Sequence, residues 1–260
     1  MKVLVINTGS SSLKFSLFEA EREQVLAEGA VDWSTMPARF TLRCPGQPER
    51  RSQLLVGSHG DAVGRVLDEL TRGEPAVLRS LDEIAAVGHR VVHGGDVHTA
   101  SVQVTPAVKK SLAGLAELAP LHNPANLEGI HAAEAALPGV PQVAVFDTAF
   151  HATIPEAARV YPLPYAWYRD WGLRRYGFHG LSHAYCAARA AQMLGRTPSP
   201  PTPLPQGGGE GSILFPLPQG GGETNAVSPP SESPRRSISS PLPQGGGEGS
   251  ILSPLPQGGG

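Results

Sequence analysis

The chain has 260 residues, 40% of them hydrophobic, and a formal charge of −2 from 21 basic against 23 acidic side chains. Without a basic surplus, neither nucleic acid nor an anionic membrane is expected as a partner, and no stretch approaches the roughly 20 apolar residues that span a bilayer. Cys44 and Cys186 are too few and too scattered for a disulfide framework or a metal knuckle, so a reducing, cytoplasmic setting is expected.

The chain opens on a β-branched run, Lys2 to Ile6, and a stretch alternating apolar with polar or basic residues, Leu13 to Phe18, joined by Asn7-Thr8-Gly9-Ser10-Ser11-Ser12. The first run is too short for a signal peptide. The pattern predicts a hairpin whose turn offers an amide, hydroxyls and backbone N–H groups, with Lys14 close behind. Such a turn suits a polyphosphate or its metal; equally, its serines could only satisfy the turn backbone. Gln24–Val31 and Arg39–Arg43 read as further strands. Asp61 to Leu70 reads as a helix with Val63, Val66, Leu67 and Leu70 on one face and Asp61 as cap.

Ile84 to Val92 reads as a strand running into His93-Gly94-Gly95. Thr105-Pro106 marks a helix start, with Val108, Leu112 and Leu115 facing inward. After Leu121-His122-Asn123-Pro124 comes a helix with Leu127, Ile130 and Leu137 inward, ending at Pro138-Gly139. Gln142–Phe146 is a short apolar strand with Asp147 at its C-terminal end. Strands first, then strands alternating with helices, predict an α/β domain with a mixed sheet. Residues 150–196 are less regular, and lead through Gly177-Phe178-His179-Gly180-Leu181-Ser182-His183 into a helix ending near Leu194-Gly195, with Ser182 as its expected N-cap.

Beyond residue 196 the composition changes. Residues 197–260 hold 14 of the 26 prolines and 14 of the 31 glycines, and Pro-Leu-Pro-Gln-Gly-Gly-Gly begins at 203, 216, 241 and 254. Each unit has too little apolar surface to offset its ordering entropy, so the segment is expected to be a disordered, low-complexity tail. Near-identical units of this kind read as a translated nucleotide repeat.

Four clusters join strand ends to glycines and ionisable groups: Asn7–Lys14, GHRVVHGG at 88–95, FDTAFH at 146–151 and YGFHGLSH at 176–183. Loops at strand ends are where α/β proteins place ligands. Arg90 has a planar fork of donors suited to a carboxylate or phosphate, unless it forms an ordinary surface ion pair. Asp147 could hold Mg²⁺ through water or orient a nucleophile, or cap a turn. His179 could donate to a phosphoryl oxygen or be structural. There is no H-E-x-x-H pair, no Walker loop and no G-x-G-x-x-G after a strand.

These clusters, with Val5–Lys14 (VINTGSSSLK) and LAPLHNP at 118–124, resemble the motifs of the acetate kinases, in that family's order and nearly continuously over residues 1–196. The resemblance implies an actin-like, ribonuclease H-like ATPase fold of the acetate and sugar kinase superfamily. Residues 1–149 would form the first α/β domain and 150–196 the incomplete start of a second, its aromatic residues left exposed.

It also implies reversible transfer of the ATP γ-phosphoryl to acetate, giving ADP and acetyl phosphate, with Mg²⁺ or Mn²⁺ as cofactor. Asn7 would belong to the metal site, and Lys14, Ser10 and Ser12 to the nucleotide site. Arg90 would bind the acetate carboxylate or acetyl phosphate, Asp147 would be the catalytic acid residue, and His179 would stabilise the transferring phosphoryl group. Val92, Leu121 and Phe178 would wall the methyl pocket, with His122 nearby.

The family's second phosphate loop and adenosine pocket have no counterpart before the repeats begin, so the chain as given is expected to have little or no kinase activity. Members are commonly homodimers through a surface lying largely in that second half. The alternatives are a propionate or butyrate kinase of the same superfamily, or a non-catalytic fragment.

Overall fold

The computed structural model describes residues 1–74 and 76–196; the expectation of disorder for 197–260 lies outside the described residues. Strands β1 (Lys2–Thr8) and β2 (Ser12–Glu19) form the expected hairpin. It is longer at its turn end than the apolar runs indicate, because Asn7 pairs with Lys14 and Thr8 with Leu13. The turn is therefore only Gly9-Ser10-Ser11, closed by Gly9 N–H donating to Ser12 O at 2.7 Å. Strands β3 (Gln24–Asp32), β4 (Ala38–Arg43) and β5 (Arg50–Leu54) extend the sheet antiparallel. Strand β5 reads RRSQL and carries no apolar alternation; it is an edge strand, where charged side chains block further pairing.

Helix α1 (His59–Arg72) begins two residues before the expected start. Asp61 is not its cap. The Ser58 hydroxyl accepts from Asp61 N–H at 3.1 Å, and the Asp61 carboxylate accepts from Gly57 N–H at 3.0 Å. An extended Ser58 presents its oxygen at the right place, and the helix starts there.

Strand β6 (Ile84–Val91) returns parallel to β1, and the two-residue strand β7 (Val102–Gln103) follows. Helix α2 (Pro106–Gly114) starts as expected, with the Thr105 hydroxyl accepting from Val108 N–H at 3.3 Å. Helix α3 (Asn123–Ala136) leads to β8 (Gln142–Phe146), parallel to β6. The order β5-β4-β3-β2-β1-β6-β8-β7 is a mixed eight-stranded sheet, with β7 antiparallel to β8.

Alternation decides what each strand offers its two faces. Leu4, Ile6 and Thr8 of β1, Leu13, Phe15 and Leu17 of β2, and Val87, His89 and Val91 of β6 are buried. That face is covered by α3, packed against β1 and β6, and by α1, packed against β2, β3 and α3. Asn7, Lys14, Ser16, Gly88 and Arg90 take the intervening positions and are half-buried or exposed. A second apolar cluster of Val91, Leu112, Ile130, Ala144 and Phe146 secures α2 and α3 beside β8.

Residues 156–193 carry α4 (Glu156–Arg159), α5 (Tyr165–Trp171) and α6 (Gly180–Met193). Their one buried residue is Gly180, and Trp171 and Tyr185 are 72% and 67% exposed. Ser182 does not cap α6, which starts two residues earlier. The Gly180 N–H, one of the donors a helix N-terminus leaves free, goes to the Asp147 carbonyl at 2.9 Å. The cap is thus a tertiary contact.

Burial also gives the covered face a pH response. His89 is 2% exposed and its Nε2 meets Gln142 Oε1 at 2.7 Å. Gln142 donates its amide to Val140 O at 3.0 Å, so its oxygen faces His89 and Nε2 carries the proton. Burial pushes the imidazole below its ordinary value of 6.5, and does the same to His93 and His98. The unfolded chain therefore binds these protons first, so this stability is present above the ordinary value and lost as pH falls. We expect the urea midpoint to drop between about pH 7.5 and about pH 5.5, and His89→Gln to flatten that slope. An unaltered slope in the variant would remove His89 as its source.

Candidate functional site

Strands β1, β6 and β8 run parallel and side by side, so their C-terminal ends share one rim of the sheet. Asn7 is the next-to-last residue of β1, Arg90 the next-to-last of β6, and Asp147 the first residue after β8. The rim brings these three together. Arg90 Nε donates to Asp147 Oδ1 at 3.0 Å and Oδ2 at 3.2 Å, and its Nη2 donates to Oδ2 at 2.6 Å. Arg90 Nη1 reaches Asn7 Oδ1 at 3.3 Å.

Asp147 is 1% exposed, whereas the Arg90 side chain is 30% exposed. The guanidinium thus binds a buried carboxylate on one side and meets solvent on the other. The Asp147 hydrogen bond, partly opposed by burial, holds its proton more tightly than usual. Asp147 is itself anchored through its backbone, N–H to Val91 O at 3.0 Å and carbonyl to Gly180 N–H.

Beside this pair lies the hairpin turn, its carbonyls engaged from the fold. The Thr8 carbonyl accepts from Asn126 Nδ2 at 2.7 Å, that of Gly9 from His59 Nε2 at 3.0 Å, and that of Ser11 from Trp33 N–H at 2.9 Å. The hydroxyls of Ser10 and Ser12 make no hydrogen bond to a described residue. Lys14 is exposed and stands opposite Asn7 in the hairpin register. The carbonyls of Thr8, Gly9 and Ser11 are thus engaged while the hydroxyls of Ser10 and Ser12 remain available as donors.

Of the LHNP stretch, Leu121 is 77% exposed and His122 is exposed at the start of α3, its side chain making no capping bond. The residues that tie this stretch to the rim are two asparagines not singled out from the sequence. Asn123 accepts from His93 N–H at 3.2 Å and donates to His93 O at 3.0 Å, and Asn126 Oδ1 accepts from Val92 N–H at 3.1 Å. Asparagine recurring one turn apart at a helix start was the available signal: each amide can satisfy both a donor and an acceptor of a strand end. Val92 is half-buried just beyond β6.

The 176–183 stretch meets the rim through glycines. A Cβ on Gly180 would overlap the Asp147 carbonyl and lie 2.8 Å from Phe150 Cβ; one on Gly177 would lie 2.5 Å from His151 Cγ. His151 Nε2 donates to the Phe178 carbonyl at 3.0 Å. The Phe178 ring, 43% exposed, lies 5.6 Å from that of His93, which also packs against Tyr176 at 4.5 Å. His93 Nδ1 accepts from Gly95 N–H at 2.9 Å, so Nε2 carries its hydrogen. Asp96 accepts from Tyr176 OH at 3.2 Å and pairs with Arg174.

His179 is exposed, one residue from the Gly180–Asp147 contact, with φ of 55°. That conformation favours glycine, and a histidine held there costs about 1–3 kcal/mol of backbone strain. Outliers of this kind cluster at functional sites.

One rim of the mixed α/β sheet thus carries a guanidinium–carboxylate pair and a turn with free hydroxyls. The chain belongs to the acetokinase family, whose model matches residues 2–200. Acetate kinase of Geobacter metallireducens is 48% identical over 200 residues, covering 76% of this chain and 48% of that protein. Acetate kinase of Symbiobacterium thermophilum is 53% identical over 197 residues, 75% of this chain and 49% of that one.

Among solved structures, Porphyromonas gingivalis acetate kinase is 45% identical with a TM-score of 0.71. A propionate kinase from Francisella tularensis is 37% identical with a TM-score of 0.68. Each match covers 75% of this chain and 49% of the other. The chain spans about half the length of the curated relatives it matches.

Proposed function

We propose that residues 1–196 supply the carboxylate-binding half of an acetate kinase site, for reversible transfer of the ATP γ-phosphoryl to acetate. The observation that carries this reading is Arg90, clamped by buried Asp147 yet partly open to solvent beside a turn of free donors. Acetate at neutral pH is already an anion and needs no general base. The task is to align its oxygen with the γ-phosphorus, so that the new P–O bond forms as the bond to ADP breaks, and to neutralise charge.

Arg90 pairs with the acetate carboxylate, and Asp147 serves as the acidic residue that holds it. His179 donates to the phosphoryl oxygens, while Ser10, Ser12 and Lys14 bind the nucleotide phosphates. Val92, Leu121 and Phe178 border the methyl group, with His122 alongside. Among the described residues no group of three or more His, Cys, Asp and Glu side chains could cage a metal. Asn7 and Asp147 are hard oxygen donors, but their oxygens face Arg90, so Mg²⁺ or Mn²⁺ would be held there mainly by water and phosphate, and would neutralise phosphate charge.

ATP as co-substrate and the free thiols of Cys44 and Cys186 fit a cytoplasmic reaction. No described helix is long and apolar enough to cross a membrane. Likeness to the Francisella propionate kinase favours propionate as the second reading.

The test is a chimera in which residues 1–196 replace the matching part of the Geobacter metallireducens acetate kinase, assayed by hydroxamate trapping with acetate, propionate and butyrate. We expect acetyl hydroxamate, reduced about 10²–10³-fold by Arg90→Ala, and little or none from the 260-residue chain alone. A folded chimera inactive on all three acids would overturn the reading, and a preference for propionate would replace acetate with it.

A further inference from the structure

Of the three carbonyls pinned behind the turn, those of Thr8 and Ser11 are held by an amide side chain and a backbone N–H. That of Gly9 is held by a titratable ring at the first position of α1. His59 Nε2 meets Gly9 O at 3.0 Å, and Nδ1 meets Glu128 Oε2 of α3 at 2.6 Å. The Gly9 carbonyl can only accept, so Nε2 carries the hydrogen of that bond. The ring lies edge-on to Trp33 at 5.2 Å and its side chain is 12% exposed. Glu128 is its one ion pair among the described residues, and Asp61, the acid nearest it on α1, is turned to Gly57 N–H.

We propose that His59, donating through Nε2 to Gly9, is a positioning residue for the turn: it draws the Gly9 carbonyl toward α1 so that the donors of residues 10–12 are left to face an anion. The proposal rests on the reading of that turn as a nucleotide phosphate site. A carbonyl released there would present negative charge to the phosphate oxygens, whereas the bound ring occupies it with an N–H donor. Asn126 and Trp33 cannot substitute, since each is committed to a different carbonyl.

The experiment is ¹⁵N NMR on the full 260-residue chain. We expect Nε2 of His59, like Nε2 of His89, to show the shift of a hydrogen-bearing ring nitrogen. We expect His59→Ala to speed amide exchange at Ser10, Ser11 and Ser12 by about tenfold and leave Leu4, Ile6 and Leu17 unchanged. His59→Gln, which keeps an N–H donor on the side chain, should recover most of the protection.

A His59 Nε2 without hydrogen in the native chain, or turn exchange unchanged in His59→Ala, overturns the proposal. Should His59→Ala fail to fold, the native imidazole spectrum and His59→Gln decide it. MgADP titration separates the underlying reading: shifts at Ser10, Ser12 and Lys14 that weaken about tenfold in His59→Ala support both. Absence of those shifts in the native chain refutes the nucleotide role of the turn, while exchange and imidazole data still decide the strut.

Discussion

Replacing Arg90 with alanine is expected to lower the unfolding free energy by about 3 kcal/mol, the low end for breaking a buried ion pair. Asp147 is 1% exposed and receives all three of its side-chain hydrogen bonds from that guanidinium. Alanine leaves a carboxylate in the sheet rim with no cation. The loss stays at the low end because Arg90 is 30% exposed, so water can follow it out and reach the acid. Removing the charge as well, in Arg90→Ala/Asp147→Asn, should restore about 2 kcal/mol, because a neutral amide costs far less to bury.

Urea denaturation of the four proteins of this cycle near pH 7 measures both the loss and its recovery. A single variant within about 0.5 kcal/mol of the parent would mean that the pair is not what stabilises the rim.

Gly129→Ala is expected to cost about 2–3 kcal/mol, unusual for a change that normally favours a helix. Helix α3 crosses β1 so closely that a Cβ on Gly129 would fall 2.9 Å from Thr8 Cβ and 3.0 Å from its Cγ2, and closer still to Oγ1. Something must shift. The easiest displacement moves α3 off the rim, loosening the bonds from Asn126 to Thr8 and from Asn123 to His93 that organise the site.

Two comparisons isolate this cause. Thr8→Ala in the Gly129→Ala background should recover part of the loss, since the hydroxyl and methyl are gone while Thr8's Cβ position remains. Gly64→Ala on α1, where a Cβ meets nothing within 4 Å, should be neutral or stabilise by up to about 1 kcal/mol. Thermal melts of the four proteins would show the contrast, and equal melting temperatures for Gly129→Ala and the parent would refute the close-packing account.

Much of the architecture was legible because it rests on periodicity. Alternation along Lys2 to Phe18 placed the hairpin, Thr105-Pro106 placed the start of α2, and Val63, Val66, Leu67 and Leu70 placed the buried face of α1. Strands β5 and β7 were not legible, one because it is polar along its length and the other because two residues hold no pattern. Both exist because a neighbouring strand offers unpaired backbone groups. The starts of α1 and α6 were misplaced for a related reason: Ser58 competes with Asp61 locally, and Gly180 is capped by a carbonyl 33 positions away.

The sequence by itself determined the class of fold, the family and the positions of Asn7, Arg90, Asp147 and His179 near strand or helix ends, since these depend on residue type and spacing. The tertiary structure alone decided that Arg90 binds Asp147 and Asn7 at once, that Asn123 and Asn126 brace the strand ends, and that His59 holds the turn. Those contacts join residues 30 to 118 positions apart, and no local propensity carries information across such distances. They form because sheet pairing first brings β1, β6 and β8 to one rim, and each buried polar group there must then find a partner.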